Sequence, residues 1–446
     1  MLTAFLRAFR TPDLRKKLLF TLGIIALFRF GSALPAPGIN EANVSYCSNV
    51  ASTSGLAGTL QIVDLLSGNA LKYMSVFALG IMPYITASII LQLLTVVIPR
   101  LETLKNEGQA GQQKITQYTR YLTVGLAVLQ STGYIELARS GTLFPNCDLT
   151  ANPIIPNASV FHIATMVITM VAGTSVIMWM GELITDRGVG NGMSVMIFTQ
   201  VIAVIPGELL TIYQDRGTFT ALLSLIVVFV VVAFVVFMEQ AQRRIPVQYA
   251  KRMVGRRMYG GTSTYIPMKV NQAGVIPVIF ASSLLYIPQL AVSLFGNQNN
   301  PTGWQSWVQR YLEIGSSSSS LSDMWLYLIA FFVLIVAFTF FYVSITFNPV
   351  EVADNMKKYG GFIPGIRPGR PTAEYLGYVL SRLTSPGSIY LGVIALFPLV
   401  ALAAIGVGYQ FPFSGVSLLI MVGVGLDTVK QIESQLQQRN YEGFLR

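Results

Sequence analysis

The chain has 446 residues, of which 53% are hydrophobic and only 11% charged, with a formal net charge of +10. Soluble domains carry roughly 25% charged residues, so most of this surface cannot be wet. Two cysteines and one histidine, His162, exclude a Cys/His metal cluster. The apolar runs are too long and too unalternating for barrel strands, which leaves helices that satisfy their own backbone groups in lipid.

Arg7, Arg10, Arg15, Lys16 and Lys17 precede the apolar run Leu18–Phe28, with small residues near Gly31–Ala36. That order resembles a signal peptide, but Arg29 interrupts it, and the run is read as a retained first span over 18–34. Next comes Gly55–Gly68, in which Leu56–Leu66 is apolar, helix-compatible and too short to cross. It reads either as a re-entrant helix occluding a pore or as an amphipathic helix on the membrane surface. Further spans are expected at 73–98, 116–138, 159–183, 193–212 and 217–238. Between the fourth and fifth, Gly188-Val189-Gly190-Asn191-Gly192 follows a membrane helix and not a strand, so it is no dinucleotide loop.

The stretch 239–270 is long and basic, carrying Arg243, Arg244, Lys251, Arg252, Arg256 and Arg257. Its alternation around Gly260-Gly261 predicts a hairpin with a tip over Val254–Gly261. Exposed arginine pairs suit phosphate or carboxylate recognition on a large partner, although topology signalling and anionic-lipid contact account for much of the charge. Spans at 271–295 and 323–346 follow, separated by a loop holding Gly315–Ser320. Residues 347–376, rich in Gly and Pro and containing Arg367, predict a structured loop more than a helix. Spans at 386–407 and 411–431 complete a set of ten.

With the amino end placed in the cytoplasm, 25 of the 30 basic residues fall inside and 4 outside, Arg29 lying within a span. That is the asymmetry expected of ten spans in this orientation. Both Cys47 and Cys147 then face outward, where a disulfide between them and two free thiols are both open. No metalloprotease, serine-hydrolase or P-loop motif occurs. The intramembrane polar residues Gln92, Gln130, Gln200 and Asn271 are uncharged, which disfavours a proton relay. A secondary transporter with inverted repeats is the alternative function; it requires charged or ion-coordinating groups at mid-membrane.

Several strings resemble the SecY family of bacterial Sec translocon subunits. They are Phe28-Arg29-Phe30-Gly31-Ser32, Pro35–Ile39, Ala78–Ile85 with Ala87–Ile90, Gly188–Gly192, Val270–Pro277 and Gly361–Gly369. The match runs from about residue 10 to 440 in the family's order. It implies an all-α polytopic membrane protein of ten transmembrane helices in two pseudo-symmetric halves, 1–215 and 216–446, plus a re-entrant plug helix at about 55–70.

What the resemblance implies about residues follows the motifs. An apolar pore ring falls on Ile81, Ile85, Met193, Ile197, Ile279 and Ile420; the plug on Leu60, Ile62, Val63, Leu65 and Leu66. Periodicity alone reads the i, i+4 pairs of that ring as ordinary core. Met193 stands where isoleucine is common, and its unbranched thioether changes little. Gln92, Gln130 and Asn271 match a lateral gate, where interhelical amide bonds serve as latches. Arg243, Arg244, Lys251, Arg252, Arg256, Arg257 and Arg367 match the docking surface for the ribosome and the SecA motor. Arg370 departs from the acidic residue of many relatives and takes no role. The resemblance also implies small membrane subunits SecE and SecG, signal-bearing preproteins as cargo, contact with membrane lipid, a bacterial plasma membrane, and neither enzyme activity nor a cofactor.

Overall fold

The computed structural model describes residues 9, 11–53, 70, 73–139, 147, 152–156, 159–249, 252–254, 257–259, 263–295, 303–312, 325–404 and 415–442. The fold is mostly helical. α1 (Pro12–Ala33) starts with proline in its first turn, where the missing N–H costs nothing. A short helix α2 (Glu41–Thr53) leads towards the segment expected to be the plug, which lies outside the described residues with Leu60, Ile62, Val63, Leu65 and Leu66.

The second span differs from expectation. Helix α3 occupies only Met82–Val97, and the 73–81 part of the expected span is turn. Met74 (φ 46°) and Gly80 (φ 56°) take left-handed backbone, which no helix contains. The segment instead bridges to the end of α1, Ala36 N–H donating to Met74 O (3.1 Å) and Val76 N–H to Leu34 O (2.9 Å). A second short helix, α4 (Pro99–Asn106), follows α3 at a bend of 106°.

Helices α5 (Gln109–Arg139) and α6 (Val160–Arg187) cover the third and fourth expected spans. They are clamped by a bidentate pair, Arg120 Nε and Nη2 donating to Glu182 Oε1 and Oε2 at 2.8 and 2.7 Å. Ser159 caps α6, its Oγ also lying 2.7 Å from His162 Nδ1, which gives the lone histidine a capping part. α7 (Gly192–Gln240) holds the fifth and sixth spans as Gly192–Gln214 and Gly217–Gln240, meeting at Gly217, whose φ of 83° breaks the helix.

The 239–270 hairpin is present, as β1 (Gln242–Tyr249), β2 (Arg252–Val254), β3 (Arg257–Tyr259) and β4 (Ser263–Lys269). Val254 pairs directly with Arg257, so the chain reverses within the expected tip, at its start and ahead of Gly260-Gly261. Helices α8 (Ile276–Phe295), α9 (Gly303–Leu312) and α10 (Trp325–Thr346) follow. The 347–376 stretch is more ordered than its composition suggests. It opens with α11 (Pro349–Lys358), capped by Asn348, and continues into β5 (Gly361–Phe362). Asn348 supplies the N-cap acceptor and Pro349 the first helical position, a start signal that outweighs the glycines beyond it. β5 pairs with β1, so the two basic stretches share one antiparallel sheet of order β4-β1-β5. The last helices are α12 (Arg370–Ala404), which begins sixteen residues before the expected span, and α13 (Gly415–Glu442).

Among the described residues six helices are long and apolar enough to cross a membrane, or seven counting α3 and α4 as one broken span. The remaining expected spans correspond to α1 and α5, which carry more charged and polar residues, and to α8, apolar over Ile276–Leu285. Among the described residues the buried apolar side chains form four clusters, three of them large. A central one draws on α1, α3, α6, α7, α8, α10, α12 and α13. A second lies under α2 and the cysteines, and a third supports the basic sheet.

Cys47 and Cys147 form a disulfide across a Cα separation of 5.3 Å, closing a loop of 100 residues in sequence. Cys47 is fully buried in the second core, against a cluster containing Met74, Met166 and Met170. Non-reducing mass spectrometry of the purified chain therefore yields the Cys47 and Cys147 peptides joined, and two free thiols would refute this. Cys147→Ser lowers unfolding stability by up to about 4.7 kcal/mol, the chain-entropy limit for a loop of that length.

Candidate constriction, gate and docking surface

Two helices in different halves of the chain begin alike. Gly80-Ile81-Met82-Pro83-Tyr84-Ile85-Thr86-Ala87-Ser88 and Gly274-Val275-Ile276-Pro277-Val278-Ile279-Phe280-Ala281-Ser282 share the pattern Gly-x-x-Pro-x-Ile-x-Ala-Ser. Both glycines have positive φ, 56° and 64°, and end an irregular segment. Each helix then opens with matched bonds: Ile85 N–H to Ile81 O at 3.1 Å, and Ile279 N–H to Val275 O at 3.3 Å. Ala87 and Ala281 are both fully buried. Sequence reasoning missed this repeat, although nothing but the sequence is needed to see it.

The helix starts set the six candidate ring residues. Ile81, Ile197, Ile279 and Ile420 are buried in the central core, and Ile85 and Met193 pack against it half-buried. Ile81 is the N-cap of α3 and the others lie on α3, α7, α8 and α13; all six belong to the one large apolar core. The start of α7 is held by the glycine-rich turn. Asn191 Oδ1 caps Met193 N–H at 3.2 Å, Thr185 Oγ accepts from Gly192 N–H at 2.9 Å, and Thr21 Oγ accepts from Val189 N–H at 3.2 Å. A Cβ at Gly192 would lie 1.8 Å from Gly181 O, so only glycine permits this approach. The Met193 thioether fills the notch left by Gly181, where a Cβ would meet its sulfur at 2.5 Å.

The three candidate gate amides are not joined to one another. Gln92 is exposed on α3 and Gln130 half-buried on α5, a helix that touches both α3 and α8. Asn271 is 3% exposed and donates from Nδ2 to Glu239 Oε1 at 2.5 Å and to Gly274 O at 3.3 Å. Its expected amide latch is thus replaced by a carboxylate from the end of α7. The reason is geometric: the β1–β4 ladder brings residues 239 and 271 together at its foot. Glu239 has no counterpart among the residues singled out from sequence, because it reads there as the polar end of a span. Gln200 is fully buried on α7, with neither amide atom hydrogen-bonded.

Of the candidate docking residues, Arg243 and Arg244 are exposed on β1, and Arg244 lies over the Tyr265 ring at 4.8 Å. Arg244 pairs with Pro267, so Tyr265 is its diagonal neighbour on one face of the sheet. On the opposite face Ile245 and Val247 enter a core with Met268, Met356, Ile363 and Leu376. Arg252 and Arg257 lie on β2 and β3; Lys251 and Arg256 fall outside the described residues. Arg367 is exposed in the turn after β5, its carbonyl accepting from Thr372 Oγ at 2.9 Å. Arg370 is engaged with Glu374 at 3.0 Å. Among the described residues no group of acidic, histidine or cysteine side chains is arranged to hold a metal.

A family model described as SecY matches residues 75–429. The protein translocase subunit SecY of Streptomyces scabiei is 62% identical, and that of Streptomyces galbus 63%, each match covering 100% of both chains. The subunit of Mycobacterium tuberculosis is 58% identical over the same full coverage. Among solved structures, a protein-conducting channel superimposes with a TM-score of 0.61 at 18% identity, covering 94% of this chain and 91% of the other. Sec61 in a canine ribosome–channel complex from the endoplasmic reticulum gives 0.59 at 17%, with coverages of 94% and 91%. At those identities the structural likeness establishes the fold.

The Gly192 contact yields a stability test. Gly192→Ala places a methyl group against backbone that cannot yield, and lowers stability by about 1–3 kcal/mol in thermal unfolding of the detergent-solubilised protein. Gly125→Ala, where nothing lies within 4 Å of the new Cβ, is neutral or slightly stabilising in the same measurement.

Proposed function

The chain belongs to the SecY family, and from that premise we propose that it is the channel-forming subunit of a bacterial protein translocase. It is a multi-pass membrane protein and not an enzyme. Its cargo is unfolded polypeptide bearing a signal sequence, which crosses the plasma membrane or passes sideways into lipid. Ten spans, with both termini in the cytoplasm, carry the basic sheet on the inner side and the disulfide on the outer side. What supports this reading most directly is that the six candidate ring side chains, from the start of α3 and from α7, α8 and α13, all belong to one apolar core.

A ring of isoleucines and one methionine suits a passage that takes any sequence. Apolar side chains at a constriction exclude water when it is empty, which limits ion leakage, and yield to a passing chain without binding it. The residues Leu60, Ile62, Val63, Leu65 and Leu66 form a plug on its outer side. The repeated helix starts favour two halves, 1–215 and 216–446, that part like a clamshell; α3 and α5 face α8 and α10 along the seam. A signal helix enters there, displacing contacts made by Gln92, Gln130 and Asn271. Membrane hydrogen bonds are worth roughly 0.6–2 kcal/mol each, small enough for such exchange.

On the inner side the docking surface comprises Arg243 and Arg244 on β1, Arg252 and Arg257 on the β2–β3 ribbon, Arg367 after β5, and Lys251 and Arg256 of the same basic stretch. These receive the ribosome, through phosphate contacts, and the SecA motor. SecE and SecG complete the membrane assembly. The transporter reading lacks the charged mid-membrane site it requires.

Vesicles containing this chain with its small subunits and SecA import an unfolded precursor when ATP is added; equal import into vesicles lacking the chain would overturn the channel assignment. Within that assay Asn271→Leu raises import of a precursor with a weakened signal roughly three- to tenfold relative to an intact one. Unaltered relative import would remove Asn271 from the gate.

A further inference from the structure

We propose that Glu239 is a positioning residue of the side gate: its carboxylate fixes the orientation of the Asn271 amide and so sets how stringently signals are selected. The proposal rests on the gate reading of Asn271 given above.

Glu239 lies in the last turn of α7, just before β1, and Asn271 just after β4. Both are buried, at 9% and 3% exposure, and joined by the 2.5 Å bond from Asn271 Nδ2 to Glu239 Oε1. An ionised carboxylate only accepts, so it dictates which end of the amide faces it. Flipping the amide would set two oxygens against each other in a buried site. The same Nδ2 reaches Gly274 O at 3.3 Å, which ties the fixed amide to the left-handed turn from which α8 starts. The other end, Asn271 Oδ1, is buried with no hydrogen-bond partner. A buried acceptor left open costs free energy, and it persists here because Glu239 holds the amide that way.

The contact is also the last rung of the hairpin. β1 and β4 pair from Gln248–Ser263 down to Gln242–Lys269, Val270 N–H donates to Ala241 O at 3.1 Å, and the Glu239–Asn271 bond comes next. The foot of this ladder has little slack. A Cβ at Gly387 of α12 would lie 2.4 Å from Val270 O, and Lys269 reaches Asp427 of α13 at 3.5 Å. Movement of the basic sheet is therefore passed to Asn271 and the start of α8.

The test measures import of a weakened-signal precursor against an intact one, alongside channel abundance and thermal stability. Glu239→Leu raises the ratio roughly three- to tenfold, as Asn271→Leu does, and the double variant goes no further than Asn271→Leu. Glu239→Gln, which keeps an acceptor, stays within about twofold of the parent. A ratio unmoved by Glu239→Leu while Asn271→Leu shifts it overturns the role of Glu239 and leaves the gate reading standing. No shift from Asn271→Leu overturns both. A fall of both precursors in step with channel abundance marks a merely structural contact and also overturns the proposal. Where Glu239→Leu does not accumulate, Asn271→Asp sets two carboxylates together and raises the ratio, and adding Glu239→Gln returns it to the parent value. Failure of that rescue overturns the pairing.

Discussion

In hydrocarbon a backbone group without an internal partner has nowhere to turn, and this constraint shapes the molecule's centre. Both α3 and α8 start after irregular backbone, over 73–81 and 271–275. Such segments persist at membrane depth only when protein surrounds them. Residues 73–81 are closed in by α1 and α6, where a Cβ at Gly31 would overlap the Phe77 ring at 2.1 Å and one at Gly173 would meet Val76 O at 2.1 Å. Phe28 stacks on Phe77 at 5.8 Å across the same contact. The foot of the second segment is closed in by α12 at Gly387. Small residues on the enclosing helices thus allow helices to begin midway, and those starts carry Ile81, Ile85 and Ile279.

The basic side follows a different logic. Water is available there, so loops are affordable, yet the two basic stretches are not independent loops. β5 adds to β1, and beneath the sheet lies a core that includes α11 and the first turns of α12. Arg243 and Arg244 from one stretch and Arg367 from the other are therefore presented by a single packed unit. Strand register fixes Arg243 and Arg244, and the pairing of β5 with β1 anchors the segment that carries Arg367, which suits a large partner that must meet several charges at once.

How much of this was legible in the sequence depends on which physical signal carried it. Hydropathy located the long apolar helices, because lipid imposes length and apolarity directly, and missed the short ones α2, α4, α9 and α11. It failed at 73–81, since those residues are as apolar as the helix they precede and only Gly80 and Pro83 mark the true start. The hairpin is visible in its alternation, and the reversal falls inside the expected tip; only the strand register fixes it to the pairing of Val254 with Arg257. The ring came through resemblance; its i, i+4 spacing is indistinguishable from core. Glu239 was invisible because its partner lies across a hairpin, and no local pattern announces a contact set by strand pairing.

The disulfide has a topological consequence. Cys47 precedes α3 and Cys147 follows α5, so the bond closes both helices, with the bend at α4, into one covalent macrocycle. The bond ties the chain just beyond α5 to the chain well before α3 at the second core, so a break in the backbone between the two cysteines would release neither part.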